Sequence, residues 1–193
     1  MLDSIVIGGG SAGLSAALVL GRARRRVLVL DSGQPRNAPA SAAHGVSTRD
    51  GTPPHDLLRI GREQLQPYSG VQLQGTAATE VRRHGASFEV VTAESCIHAK
   101  TVLLAYGVKD DLPPIAGLEA FWGSSVLHCP YCHGWEVRDE PLAYVASGDA
   151  AIEFGKLLLG WSRDLVLCTN GGEELSAGQR EALTRNGIEV REQ

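Results

Sequence analysis

Two cysteines separated by two residues form the most chemically suggestive pair in the chain, within the hexapeptide His128-Cys129-Pro130-Tyr131-Cys132-His133. A C-x-x-C pair can close a small disulfide ring, and such pairs often contain one thiol of lowered pKa whose thiolate attacks another disulfide. His133 could exchange a proton in that step, because the ordinary pKa of histidine, about 6.5, lies near neutrality. The hexapeptide indicates thiol–disulfide chemistry with Cys129, Cys132 and His133 as candidate catalytic residues.

A glycine-rich segment near the N-terminus fits the G-x-G-x-x-G pattern that cradles a dinucleotide pyrophosphate. Gly8 would allow a tight turn, Gly10 a close approach to the phosphates, and Gly13 close packing of a helix on a strand. Free amides at the start of that helix would bind phosphate oxygens. The candidate cofactor-binding residues of the segment are Gly8, Gly9, Gly10, Ser11, Ala12 and Gly13.

Asp31 extends this pattern, because it follows the next predicted strand about 20 residues after the glycines, where a carboxylate accepts hydrogen bonds from a ribose. The glycine pattern alone does not separate FAD from NAD. Its place before a second pattern of the same kind favours FAD.

The elements around the first motif predict a Rossmann-type α/β fold. Residues 4–7 and 27–30 are short apolar runs typical of buried strands, and residues 13–20 have the periodicity of a helix. Parallel strands joined by a helix imply an α/β sheet. Further on, the pattern predicts a loop, a helix that begins near Pro54, and strands in residues 80–82, 88–91 and 101–104.

A second β-α-β pattern follows a linker marked by Pro113 and Pro114. It consists of strands at 142–146, 165–168 and 188–190, a helix at 150–161, and a helix capped by Ser176. The predicted organisation is two nucleotide-binding domains. Residues 1–112 would form the N-terminal part of an FAD-binding domain, and residues 116–193 an incomplete NAD(P)-binding-like domain that carries the C-x-x-C pair.

Other interpretations of the hexapeptide compete with redox chemistry. Zinc requires four ligands in a tetrahedron, which neighbouring His128 and Cys129 cannot both supply easily, and no second C-x-x-C is present, so no metal site is predicted. The pair could also be inert. A thioredoxin fold would place the motif near the first helix of a small domain, whereas here it follows a dinucleotide-binding unit.

Composition limits the remaining classes of function. The formal net charge of −4 gives no electrostatic reason to expect nucleic acid or an anionic membrane as a partner, and no apolar run is long enough to cross a bilayer. Met1 leads directly into a strand without a signal peptide, so a cytoplasmic location is expected. Cys96 and Cys168 lie in strand-like apolar runs and are expected to be small core residues.

The chain resembles the low-molecular-weight thioredoxin reductase family over essentially its whole length. The resemblance rests on the glycine motif, on Ala105-Tyr106-Gly107 before the linker, and on the C-x-x-C pair at the start of the second domain. It is closest to the branch with Cys-Pro-x-Cys-His-Gly, which includes oxidases that close disulfides in natural products such as gliotoxin and holomycin. Pro35-Arg36-Asn37 and His44-Gly45 also resemble that branch.

The resemblance implies a three-layer β-β-α FAD/NAD(P)-binding fold and FAD as cofactor, with Asn37, His44 and Gly107 as further cofactor-binding candidates. Electrons would pass between a nicotinamide (NADPH or NADH), the flavin and the cysteine pair. Cys132 would lie against the flavin and Cys129 would exchange with a disulfide or dithiol, either a small protein or a small molecule. The resemblance leaves open whether the chain forms a homodimer.

Some residues depart from the family pattern. His133 stands where thioredoxin reductases carry an aspartate, which makes thioredoxin a less expected substrate, and Tyr106 stands where the family has threonine. The second nucleotide motif is Ala146-Ser147-Gly148-Asp149-Ala150-Ala151, in which Ala146 replaces the first glycine. Residues 168–171 lack an arginine pair for a 2′-phosphate. These departures leave NADPH, NADH or no nicotinamide open.

Chain length bears on which function is expected. Family members run to about twice a single domain of ~150 residues, whereas this sequence ends at Gln193, inside a second domain that is expected to be incomplete. A fragment, a truncated product and a chain completed by another chain are all open. The leading hypothesis is an FAD-dependent dithiol/disulfide oxidoreductase. The alternatives are an oxygen-dependent dithiol oxidase that uses no nicotinamide and a non-catalytic FAD- or nucleotide-binding module.

Overall fold

The computed structural model describes residues 1–192. The chain divides into two compact units, one from Met1 to Val126 and one that begins at Leu127. None of the helices in the described residues is long and apolar enough to span a lipid bilayer.

The first unit is built on a six-stranded sheet with the order β3-β2-β1-β6-β5-β4. β3, β2, β1 and β6 are parallel, whereas β5 pairs antiparallel with both β6 and β4. The strands are β1 (Leu2–Ile7), β2 (Val27–Leu30), β3 (Val71–Gln74), β4 (Ala78–His84), β5 (Ser87–Thr92) and β6 (Cys96–Leu104). The predicted Rossmann-type α/β fold is confirmed. The sequence pattern does not predict β3, because its Val-Gln-Leu-Gln sequence has only two apolar residues.

Two helices cover one face of this sheet, α1 (Ser11–Arg22) and α2 (Pro54–Glu63). Side chains of a strand alternate between the two faces of a sheet. One set therefore packs with the helices, namely Val6, Val27 and Val29 with Leu14, Ala17, Leu58 and Leu65. The other set forms a second core with the antiparallel strands, namely Ile5, Ile7, Leu28, Leu30, Val90 and Ala99.

The predicted linker at Pro113 and Pro114 lies inside the first unit, which continues through the short helix α3 (Leu118–Phe121) to Val126. Local packing explains why. A Cβ on Gly123 would lie 2.6 Å from the Pro39 Cβ, so the two segments touch. Trp122 also forms a β-bridge with Val126.

The second unit repeats the β-α-β pattern on a smaller scale. Its three parallel strands are β7 (Leu142–Val145), β8 (Leu165–Cys168) and β9 (Glu189–Arg191), and its helices are α4 (Pro130–His133), α5 (Gly148–Leu158) and α6 (Ala177–Arg185). The predicted cap of α6 is confirmed, since the Ser176 hydroxyl accepts a hydrogen bond of 3.3 Å from the Gln179 amide. The core of the unit contains Tyr144, Ala151, Leu158, Leu165, Leu167, Leu175, Leu183 and Ile188.

The expectation that Cys96 and Cys168 are core residues is wrong for Cys96, which is exposed, and Cys168 is only half-buried. Alternation along β6 is the reason, because Ile97 and Ala99 take the core face and leave Cys96 on the outer face.

Candidate functional site

The turn between β1 and α1 requires glycine at two positions. Gly8 has a positive φ of 106°, and a Cβ there would lie 2.2 Å from the Ala105 carbonyl oxygen. A Cβ on Gly13 would lie 1.8 Å from the Gly8 carbonyl oxygen. No side chain fits at either distance, so these glycines permit the tight turn and the close packing of α1 that the motif predicts.

Gly10 is different, because a Cβ built on it meets nothing within 4 Å. It is the N-cap residue of α1 and lines a cleft of about 230 Å³ together with Gly8, Gly9 and Ser11. The open space in front of Gly10 and the free amides at the start of α1 suit a pyrophosphate, because a side chain at this position would fill the space that the phosphates need.

Asp31 closes one side of the same cleft. Its Oδ1 accepts a hydrogen bond of 3.2 Å from the Gly33 amide, and its Oδ2 accepts one of 2.8 Å from Nη2 of Arg62 in α2. A Cβ on Gly9 would lie 2.5 Å from the Asp31 Oδ2, so a larger residue there would displace the carboxylate. Arg62 therefore fixes the carboxylate that is predicted to bind the ribose.

An ion pair joins two loops that line the cleft. The Arg36 Nε donates hydrogen bonds of 3.0 and 2.9 Å to the two carboxylate oxygens of Asp110, and this contact raises the pKa of the Arg36 guanidinium. Arg36 and Asn37 come from the loop after β2, and Gly107 from the segment after β6. The pair holds these two segments together beside the cleft.

His44 lies outside the lining of this cleft. Its Nδ1 is 3.7 Å from the Asp50 Oδ1, and the same carboxylate oxygen accepts a hydrogen bond of 2.7 Å from the Gly45 amide. In this structure the His44-Gly45 turn is therefore held to its own loop.

The C-x-x-C pair lies at the start of α4 in the second unit. Cys129 and Cys132 form a disulfide with a Cα–Cα distance of 5.3 Å, which confirms the predicted bond. Cys129 is the N-cap residue and Pro130 occupies the first turn, where its missing amide hydrogen costs nothing. Both cysteines and His133 are half-buried, so the disulfide is not sealed in the core.

An aromatic contact anchors α4 within its unit. The rings of Tyr131 and Trp161 meet edge to face with centroids 5.3 Å apart. A Cβ on Gly134 would lie 2.7 Å from the Trp161 Cδ1, so the glycine of the Cys-His-Gly sequence makes room for the indole. Trp161 follows α5, and the helix that bears the disulfide therefore packs against the end of α5.

The second nucleotide motif forms the turn between β7 and α5. Ser147 is the N-cap residue, Gly148 has a positive φ of 57°, and Asp149 lies in the first turn. The Asp149 Oδ1 accepts a hydrogen bond of 2.9 Å from the Gln179 Nε2. Behind the turn, the buried Tyr144 hydroxyl donates to the Ala151 carbonyl over 2.8 Å, and burial raises the pKa of Tyr144 to about 12.

The two remaining cysteines differ from the pair. Desolvation and a hydrogen bond with Glu89 raise the pKa of the Cys96 thiol, which reduces the fraction of reactive thiolate. Cys168 ends β8 as a free thiol. Cys129 and Cys132 are therefore the best candidates for redox exchange.

Comparison with protein-family models gives a match over residues 2–193 to the pyridine nucleotide-disulphide oxidoreductase family. The chain belongs to this family. Family members generally use a flavin and a pyridine nucleotide, in agreement with a chain that carries two nucleotide-type turns and a disulfide.

Curated relatives of this chain carry the name thioredoxin reductase. Thioredoxin reductase aclD of Aspergillus oryzae is 34% identical over 96% of this chain and 62% of its own length. Thioredoxin reductase sirT of Leptosphaeria maculans is 35% identical over 90% of this chain and 57% of its own length. The resemblance to the thioredoxin reductase family is confirmed.

Two solved structures are also similar to this chain over nearly its whole length. HlmI is 41% identical with a TM-score of 0.93, and the match covers 99% of this chain and 61% of HlmI. A putative thioredoxin reductase TrxB from Bacillus anthracis is 37% identical with a TM-score of 0.94, over 98% of this chain and 64% of that protein. The chain spans less than two thirds of the length of each of these relatives.

The structure brings most of the predicted cofactor-binding residues to one cleft, and their cofactor-binding roles stay predictions. Gly8, Gly9, Gly10, Ser11, Asp31, Asn37 and Gly107 line it, whereas Ala12, Gly13 and His44 do not. Sequence reasoning missed Arg62 and Trp161, because their contacts join residues far apart in the chain and no local pattern marks them.

Proposed function

We propose that this chain carries the flavin-binding and disulfide-bearing parts of an FAD-dependent dithiol/disulfide oxidoreductase. The observation that carries the proposal is the Cys129–Cys132 disulfide, half-buried at the start of a helix, in a chain that also has an open glycine cradle at Gly10. The first unit would be the FAD-binding part and the second the NAD(P)-binding-like part.

The cleft of the first unit would hold the dinucleotide. Gly10 and Ser11 would hold the pyrophosphate, Asp31 would accept hydrogen bonds from the ribose, and Asn37 and Gly107 would contact the remainder. A bound FAD would supply a two-electron couple for the disulfide. The Arg62–Asp31 and Arg36–Asp110 pairs would keep the cleft in shape before the cofactor arrives.

The cysteine pair would perform the exchange with the substrate. A substrate dithiol would attack Cys129 as a thiolate, form a mixed disulfide and release the Cys132 thiolate. The second substrate thiol would then displace Cys129, so that the substrate leaves as a disulfide and the pair remains as a dithiol. The reverse order would reduce a substrate disulfide. His133, next to Cys132, would take up and return a proton during these steps.

The test is to count the free thiols of the full chain, saturated with FAD, before and after anaerobic titration with a reductant. Reduction should expose two more thiols per chain, one for each sulfur of the pair. Cys129→Ser and Cys132→Ser should abolish this gain, and the matched control Cys168→Ser should keep it. Bound flavin without a gain in thiols would overturn the proposal and leave a non-catalytic binding module.

A dithiol oxidase that uses no nicotinamide is the second candidate. Ala146 in place of the first motif glycine and Asp149 in the first turn of α5 favour it, because both make the second turn less suited to a pyrophosphate. Flavin bleaching by a dithiol but not by NADPH or NADH, with recovery in oxygen, would select this candidate. Bleaching by either nicotinamide would exclude it.

A further inference from the structure

The outer face of the antiparallel strands carries a group of side chains that the redox chemistry does not use. Glu89 in β5 is paired directly with His98 in β6, and Cys96 lies two residues before His98 on the same face. Cys96 and His98 are exposed, and Glu89 is partly buried. The opposite face of these strands packs into the core, so the backbone beneath the group is fixed.

We propose that Glu89, Cys96 and His98 bind one Zn²⁺ ion. Their ligand atoms, a carboxylate oxygen, a sulfur and an imidazole nitrogen, all lie within 4.8 Å of one another. The ligand atoms of a tetrahedral zinc lie roughly 3.3–3.8 Å apart, given zinc–ligand bonds of about 2.0–2.3 Å. Small side-chain rotations would therefore close the site, and a water would fill the fourth position.

The two oxygens of Glu89 have different neighbours, which leaves one of them to the metal. Oε1 is 3.5 Å from Nη1 of Arg82, whereas Oε2 is 4.0 Å from Nε2 of His98. Arg82 is itself paired with Glu80 on β4, and this acid offsets part of the repulsion between the guanidinium and a cation. Arg82 would thus orient the carboxylate from outside the ligand set.

His84 adds a further contact to the ligand ring. The rings of His84 and His98 meet edge to face with centroids 5.4 Å apart, which restricts rotation of His98. Ligands that are held in place before binding give tighter sites. The set of one thiol, one imidazole and one carboxylate selects zinc over calcium or magnesium, which prefer oxygen ligands alone.

The sequence did not reveal this group, because its members come from two strands and their spacing matches no metal motif. The group is also independent of the proposed oxidoreductase function.

The Cys129–Cys132 pair must be kept from competing for the metal. The sulfurs of Cys129 and Cys132 are joined in a disulfide and unavailable to a metal in this state. Reduced C-x-x-C pairs can bind zinc, so the experiment must remove them.

The test uses the full chain with Cys129→Ser and Cys132→Ser, titrated with Zn²⁺ against a chromophoric chelator. One zinc per chain should bind, and Cys96→Ser or His98→Ala should weaken the affinity by at least about tenfold. Cys168→Ser should leave it unchanged and serves as the matched control. No bound zinc, or equal affinity in the Cys96→Ser variant, would overturn the proposal.

Three further measurements guard against indirect effects. Co²⁺ in place of Zn²⁺ should give a thiolate-to-cobalt charge-transfer band that disappears in Cys96→Ser and persists in Cys168→Ser. Zn²⁺ should also slow the alkylation of Cys96. Circular dichroism should show that Cys96→Ser and His98→Ala fold, since these two side chains face solvent. A band that survives Cys96→Ser, or alkylation at an unchanged rate, would show that Cys96 is not a ligand.

Discussion

The two units carry the same β-α-β turn built in two ways. In the first, Gly8 bears the positive φ, and α1 starts after Gly10 with no acidic residue in its first turn. In the second, an alanine takes the first glycine position, Gly148 bears the positive φ, and Asp149 lies in the first turn of α5. A carboxylate there already interacts with the positive end of the helix dipole. The two turns therefore share a topology, but the turn before α1 is better suited to bind an anion such as a pyrophosphate than the turn before α5.

The largest expected effect comes from Gly8→Ala compared with Gly148→Ala. At Gly8 the new Cβ would meet backbone at 2.2 Å as well as a positive φ, whereas at Gly148 it meets nothing within 4 Å. We expect Gly8→Ala to lower the free energy of unfolding by roughly 3–5 kcal/mol and Gly148→Ala by about 1–2 kcal/mol. Urea denaturation followed by circular dichroism measures both, and equal losses would contradict the difference between the turns.

Gly10→Val tests the cradle without disturbing the fold. Its side chain would project into the open cleft, so we expect bound FAD to fall by at least about tenfold while the circular dichroism spectrum stays unchanged. Flavin absorbance after gel filtration gives the FAD content. Gly148→Ala is the control and should retain FAD. A Gly10→Val protein with full FAD content would show that the dinucleotide lies elsewhere.

Arg62→Ala tests whether the ion pair prepares Asp31 for the ribose. The Arg62–Asp31 pair is partly exposed, with side-chain exposures of 45% and 19%, so its contribution is modest. We expect FAD to bind roughly two- to fivefold more weakly, in line with about 0.5–1 kcal/mol for such a pair. Arg59→Ala, which removes an arginine paired with Asp56 and Glu63 of the same helix, is the matched control. Identical FAD dissociation constants for the two variants would count against the role of Arg62.

The smallest effect is expected from Asp149→Asn in the second turn. The asparagine keeps an acceptor for Gln179 but removes the negative charge, so NADPH or NADH should bind roughly two- to fivefold more tightly, as about 0.3–1 kcal/mol of dipole interaction allows. Fluorescence titration of the FAD-loaded protein measures this. Glu153→Gln, later on the same helix, controls for general charge. Unchanged affinity would mean that Asp149 does not set the difference between the turns.

Local signals made much of the fold predictable. Short apolar runs gave β1, β2, β7 and β8, the glycine pattern gave the turn into α1, and the Ser176 cap gave the start of α6. Each depends on residues close in sequence. The Cys129–Cys132 disulfide was predictable for the same reason, since its spacing alone permits it.

What could not be predicted depends on contacts between distant segments. Gly123 packs on Pro39, Arg62 reaches Asp31, and Trp161 supports the helix that bears the disulfide. Cys96 was misplaced because its apolar neighbours suggested burial, whereas the register of β6 decides which face it occupies. Register and tertiary packing, rather than residue type, govern these positions.

The contact between Gly134 and Trp161 has a mechanical consequence for the second unit. α5 has 11 residues and is about 16 Å long at 1.5 Å per residue. The turn of the second nucleotide motif lies at the beginning of α5. The helix that bears the disulfide, α4, contacts the Trp161 indole just beyond the end of α5. A rotation of the unit would therefore carry both along together, and the separation between the disulfide and the turn would stay constant.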